Sequence, residues 1–249
     1  MQVNSKMVPQ PLIQKLSTDP SPQSNLWRGK FIVFEGGEGC GKTTQLQRTE
    51  QWLVQAGWLQ QLQAQGSIAN LVVTREPGGT ALCQKIRQIL LEPTDEPVHD
   101  RCELLLYAAD RAQHVTGCLR PHLEQGNLIL CDRYTGSTIA YQGYGRGLDL
   151  DLIAQLNQIA TQGLNPDLTI WLDLEAEIGL QRAQTRGKRD RIEQADLEFH
   201  QRVRQGFAAL QAQQGEQMVR LDASRSIEVI GQEIATLLEQ KFKQWFLEM

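Results

Sequence analysis

The chain has no cysteine pairing pattern, no long apolar run and no excess of basic charge. Its five cysteines, Cys40, Cys83, Cys102, Cys118 and Cys131, fall without CxxC or Cys/His ligand spacing. An odd, scattered set in a chain of 249 residues reads as the reduced thiols of a cytoplasmic protein, not as a disulfide framework or a zinc site. No stretch approaches about 20 consecutive apolar residues, which excludes a helical membrane span. A net charge of -4 argues against a broad nucleic-acid-binding surface. An enzyme that binds polyanions can still be acidic if its positive charge is gathered in the site. Residues 1–28 carry Pro, Ser, Gln and Asn but no continuous apolar core, so they are not a secretory signal. They read as a poorly ordered extension ahead of the fold, with a functional tail as the other reading. What remains, residues 29–249, suits one domain, and 41% hydrophobic with 22% charged residues is ordinary for a soluble globular protein.

From Lys30 onward, short apolar runs alternate with stretches of helical period. Phe31–Phe34, Leu71–Val73, Leu128–Cys131, Leu168–Leu172 and Met218–Leu221 are predicted strands, nearly continuously apolar and so expected to be covered on both faces. Thr44–Trp58, Ala81–Leu91 and Glu103–Gln125 are long enough for crossover helices. The pattern predicts an α/β fold, a five-stranded parallel sheet flanked by helices in three layers, with chemistry collected at the carboxyl ends of the strands.

Gly36-Gly37-Glu38-Gly39-Cys40-Gly41-Lys42-Thr43 matches GxxxxGK[ST] between the first strand and a helical run. The glycines let backbone N–H groups turn inward around phosphate oxygens, and the helix N-terminus beyond them favours an anion. Lys42 is placed to reach the β- and γ-phosphates of a nucleoside triphosphate and Thr43 to hold Mg²⁺. No NKxD guanine-reading element is present, and the chain is too small for a motor or helicase. A small-molecule kinase is the class left.

Four further segments carry chemistry, three after strands and one opening a helix. In Thr74-Arg75-Glu76-Pro77-Gly78-Gly79-Thr80, Pro77 and two glycines force a tight turn, open to a cis peptide before Pro77. Arg75 and Glu76 either line the site or form a surface ion pair. Tyr107 and Arg111, four apart, share a helix face; they can hold a planar base by stacking and a carbonyl contact, or serve as core and surface charge. Asp132-Arg133 can hold Mg²⁺ and bridge phosphates, or make a helix cap and salt bridge. The run from Arg182 to Arg191 packs cations closely; it is either a solvated helix face or a lid that closes over phosphates and excludes water.

Taken in order, the P-loop with Thr44 and Gln45, TREPGGT at 74–80, YAADRAQH at 107–114, DRYTGSTIAYQG at 132–143 and RGKRDRIE at 186–193 resemble thymidylate kinase. The resemblance runs from about Lys30 to the C-terminal helix. It implies transfer of the ATP γ-phosphoryl group to dTMP with Mg²⁺, a homodimer, and no nucleic-acid or membrane partner. ATP would sit on Gly36 to Thr44. Glu38 would face the 3′-hydroxyl side of the dTMP sugar, Tyr107 would stack on thymine, and Arg111 would meet its O4. Arg75, Pro77, Ser137, Thr138, Tyr141 and Gln142 would complete the acceptor pocket. Lys42 and Arg133 would act on the phosphates, and Thr43 and Asp132 on the metal. Because no P-loop residue here is an arginine, the resemblance points to the bacterial pattern, with the catalytic charge from a lid at about 182–193: Arg186 first, then Arg182 and Arg191. Other acceptors, or a nucleotide-dependent switch without transfer, stay open.

Overall fold

A computed structural model describes residues 29–93, 95–185 and 190–247. The expected N-terminal extension, and residues 186–189 with Arg186 among them, lie outside the described residues. Strands β1 (Lys30–Glu35), β2 (Leu71–Arg75), β3 (Leu128–Asp132), β4 (Leu168–Asp173) and β5 (Met218–Asp222) form one sheet in the order β2-β3-β1-β4-β5. Every pairing is parallel, with Phe34 opposite Asp132 and Ile170 in the central register. The α/β fold is therefore the one the apolar runs predicted. Each strand runs one or two residues longer than its apolar stretch, and the added residues include Glu35, Arg75, Asp132 and Asp173.

The helices are α1 (Lys42–Gln55), α2 (Trp58–Ala64), α3 (Ala81–Leu91), α4 (Asp100–His114), α5 (Arg120–Glu124), α6 (Thr135–Thr138), α7 (Leu150–Thr161), α8 (Ala176–Thr185), α9 (Leu197–Gln214) and α10 (Ile227–Phe242). Two departures from the predicted helices have local causes. The run Thr44–Trp58 breaks at Gly57, whose φ of 78° is left-handed and starts a new helix. The run Glu103–Gln125 is not one α-helix, because a π-helical turn at Val115–Leu119 separates α4 from α5.

Side chains of β1 alternate between two cores, as the period of a strand requires. Ile32 and Phe34 pack with Leu46, Leu53, Ile230 and Ile234 of α1 and α10, whereas Phe31 and Val33 pack with Val115, Leu119 and Leu123. A third cluster joins Trp171 and Met218 to Tyr141, Phe199, Val203 and Phe207. Coverage on both faces holds for β1, β3 and β4 but not for the edge strands β2 and β5, in which every residue but Met218 is exposed or half-buried. Strand β1, buried from Phe31 to Glu35, ends directly at the P-loop, so the loop starts from a rigid base.

Candidate active site

Residues 36–41 wrap between β1 and α1. Gly36 has φ 146° and Gly39 φ 66°; a Cβ on Gly39 would lie 2.0 Å from the Gly179 carbonyl oxygen, so α8 presses on the loop where no side chain fits. Lys42 is buried, and its ammonium donates to the carbonyls of Gly36 (3.0 Å) and Gly37 (2.8 Å). Thr43 Oγ1 donates to Asp132 Oδ2 at 2.9 Å, which brings the two predicted metal residues together. Asp132 Oδ1 is buried without a hydrogen-bond partner among the described residues. A hydroxyl and a carboxylate with a spare buried oxygen suit a hard cation that takes its other oxygens from water and phosphate.

Arg133 follows β3 in the left-handed region, φ 73°, a conformation that a non-glycine residue holds only when its surroundings dictate it. Here they do. Its N–H donates to Phe34 O, and Glu35 just below accepts from Tyr134 N (2.9 Å), Ser137 N (3.0 Å) and Ser137 Oγ (2.6 Å). Burial pushes the Glu35 carboxyl up, while Ser137 and Arg133 pull it back only in part. The Arg133 guanidinium donates to Gly36 O (3.0 Å), Ser137 Oγ (3.1 Å), Glu38 Oε1 (2.7 Å) and Tyr141 OH (3.0 Å). Burial by itself would raise the pKa of Glu38, but Arg133 and then Lys42 outweigh it and hold the group at about 2, fully ionised.

Beside this lies a cavity lined by Glu38, Pro77, Tyr107, Arg111, Arg133, Ser137, Thr138, Tyr141 and Gln142. Four separate segments meet there. Arg111 is 2% exposed and not a surface charge. Its Nε donates to Glu76 Oε2 (2.9 Å), Nη1 to Thr138 Oγ1 (2.9 Å) and Asn157 Oδ1 (2.8 Å), and Nη2 to Tyr134 O (3.0 Å). Of the five N–H groups of a guanidinium, that leaves one on Nη2 without a partner among the described residues. Glu76 is buried against Arg111 and His114, whose Nδ1 is 2.9 Å from Glu76 Oε1, so Glu76 belongs to an interior network and not to a surface pair. Burial lowers the pKa of His114, but Cys118 and Glu76 raise it further, to about 9. The Glu76–Pro77 peptide is cis.

A second, wider cleft adjoins the cavity and is lined by Gly39, Gly41, Lys42, Thr43, Thr44, Arg75 and Asp132. Arg75 therefore stands on the phosphate side and not in the base cavity. Gly36 and Gly37 enter the site through their carbonyls, and Cys40 points into the core. Glu38 and Arg133 line both spaces. So does Arg87 of α3, which donates to Pro77 O at 2.9 Å, and Asp190, which caps the turn at Ile192 and Glu193. Nothing in the sequence marks Arg87, one charge on an ordinary amphipathic helix, or Asp190, hidden in the cationic run. Neither Arg182 nor Arg191 lines either space. Arg182 donates to Ala223 O at 3.1 Å, and Arg191 pairs with Glu103 at 2.6 Å.

A P-loop at the end of the central strand, a hydroxyl and a carboxylate hydrogen-bonded beside it, and a cavity sharing Arg133 with the phosphate cleft define a nucleoside monophosphate kinase. A family model described as thymidylate kinase matches residues 34–234. The chain belongs to the thymidylate kinase family. It is 58% identical over 227 residues to a thymidylate kinase of Cyanothece sp., covering 88% of this chain and 97% of that protein. Over 228 residues it is 55% identical to one from Acaryochloris marina (88% and 99% covered). Over 221 residues it is 52% identical to one from Trichodesmium erythraeum (87% and 98% covered).

Proposed function

We propose that this protein phosphorylates dTMP, transferring the γ-phosphoryl group of ATP to give dTDP and ADP. The observation that carries this reading is that Arg133 and Glu38 line both the phosphate cleft and the cavity beside it. A nucleotide with its base near Tyr107 and Arg111 then places its phosphate at Arg133, facing the P-loop. A guanidinium fork matches phosphate oxygens on both sides of such a junction. The acceptor phosphate is ionised at neutral pH, so no general base is needed and direct in-line transfer suffices. Lys42 and Arg133 neutralise charge while the cavity fixes orientation. Thr43 and Asp132 would hold Mg²⁺, which neutralises the β- and γ-phosphate oxygens when bound.

Residues 182–193 act as a lid on this domain, and Arg186 supplies the catalytic charge from it. The contacts of Arg182 with Ala223 and of Arg191 with Glu103 favour Arg186 over both. The protein works as a cytoplasmic homodimer. Leu82 and Ile89 of α3, Leu105 of α4 and Ile159 of α7 are exposed apolar side chains on helices that pack side by side, a surface suited to a second copy. Among the described residues, no helix is long and apolar enough to cross a membrane.

Steady-state ADP formation from ATP, with dTMP, dUMP, AMP, GMP or thymidine offered singly, tests the reading. Turnover should depend strongly on dTMP. Preference for another acceptor would reassign the substrate, and turnover indifferent to any acceptor would reject phosphotransfer. In the same assay R186A should lose about 100-fold or more in kcat with little change in the KM for dTMP; a kcat like that of the wild type would reject the lid assignment.

A further inference from the structure

Glu103 stands in the first turn of α4, fully buried, and none of the roles above uses it. Three hydrogen bonds and one ion pair converge on its carboxylate. Gln142 Nε2 donates to Oε1 at 2.8 Å, Arg146 Nε to Oε1 at 3.3 Å and Arg146 Nη2 to Oε2 at 3.2 Å, while Arg191 Nη2 stands 2.6 Å from Oε2 as a charge partner without hydrogen-bond geometry. Burial disfavours the charge, but Arg146, the Gln142 hydrogen bond and Arg191 together more than offset it and keep the carboxyl below its ordinary range. An ionised carboxylate accepts hydrogen bonds and cannot donate them.

That settles a choice which a glutamine otherwise leaves open. The side-chain amide of Gln142 carries an acceptor on one side and two donors on the other. With Glu103 ionised, the NH₂ must face the carboxylate. Gln142 Oε1 accepts no hydrogen bond among the described residues, and Gln142 lines the cavity with Tyr107 and Arg111. The cavity therefore offers a base the one free N–H of Arg111 and the carbonyl of Gln142, a donor and an acceptor. A pyrimidine with a carbonyl beside a ring N–H complements that pair. A 4-aminopyrimidine presents the reverse pattern, an NH₂ beside a bare ring nitrogen, and meets donor with donor and acceptor with acceptor.

We infer that Glu103 is a positioning residue that orients the Gln142 amide and so makes the cavity select a keto pyrimidine over an amino pyrimidine. Arg146 and Arg191 hold Glu103 ionised for that task, which accounts for Arg191 facing α4 and not the phosphate cleft. The inference rests on the reading of this cavity as the dTMP site.

The test compares kcat/KM for dTMP and dCMP at saturating ATP in wild type, E103Q, Q142M and the double variant. In E103Q the new amide can donate to Gln142 Oε1 and turn its NH₂ toward the base. The dTMP-to-dCMP ratio should then shrink by at least about tenfold, through a raised KM for dTMP more than a lowered kcat. Q142M should shrink it similarly, and the double variant no further than Q142M. A wild-type ratio in E103Q, or losses in the two single variants that multiply in the double, would overturn the inference. Should E103Q fail to fold, an unchanged ratio in Q142M overturns it equally. A wild-type enzyme inactive on dTMP would instead sink the functional reading itself, so the two failures are distinguishable.

Discussion

The phosphate cleft and the base cavity sit side by side yet are built in opposite ways. The cleft is centred on the P-loop stretch from Glu38 to Thr44, between β1 and α1, with residues of β2, the turn after it, α3 and the end of β3 around it. The cavity is assembled from the turn after β2, from α4, from α6 and from the π-helical turn after it, with buried side chains that bond one another: Arg111 to four partners, Glu103 to three residues. A local device can lose one side chain and still fold. A cooperative network loses binding and stability together, because each buried charge is another's counter-charge.

Replacing Lys42 should bring out the difference most strongly. K42A should lower kcat by about 100- to 1,000-fold while leaving the KM for dTMP and the urea midpoint close to wild type. A large drop in stability would show that the loop is not the local device described. Arg111 should behave otherwise. R111M should raise the KM for dTMP by about 10- to 100-fold and also cost about 3 kcal/mol in urea denaturation, since Glu76 loses its nearest fixed positive charge. A variant with raised KM and unchanged stability would separate ligand contact from network and break the comparison.

The smallest effect concerns pH. His114 is fully buried, and its pKa in the folded protein, about 9, stands above the ordinary 6.5. Its stabilisation is therefore complete below pH 6.5 and is lost as pH rises through 9, a change on the order of 3 kcal/mol. Asp110, raised to about 6 mainly by burial and Glu76, titrates below that window. Melting temperature should fall between pH 7 and 9.5 in wild type and fall less in H114Q; equal slopes would remove His114 from the network.

How much of this is visible in the chain follows the same division. The P-loop is legible because its function depends on backbone geometry set by adjacent residues, so GxxxxGK[ST] between a strand and a helix is enough. The strands are legible because burial on both faces demands continuous apolar runs, and the edge strands β2 and β5 still carry that signature while half exposed. Tyr107 and Arg111 show as a pair by their spacing, but the same spacing suits a core aromatic and a surface charge. Arg87, Asn157 and Glu103 carry no mark at all, since an arginine, an asparagine or a glutamate on an amphipathic helix is what any surface helix contains.

The sequence by itself determined the α/β class, the site of triphosphate binding and, through five ordered motifs, the family. Only the tertiary structure decided that Arg111 is saturated but for one N–H, that Arg133 is held at φ 73° above Glu35, and that Arg191 serves Glu103. The reason is the range of the interactions. Periodicity and glycine placement act between neighbours in the chain, whereas the partners of these buried charges lie tens of residues away, up to 102 between Glu35 and Ser137. Their pairing exists only once the sheet has brought the strand ends together.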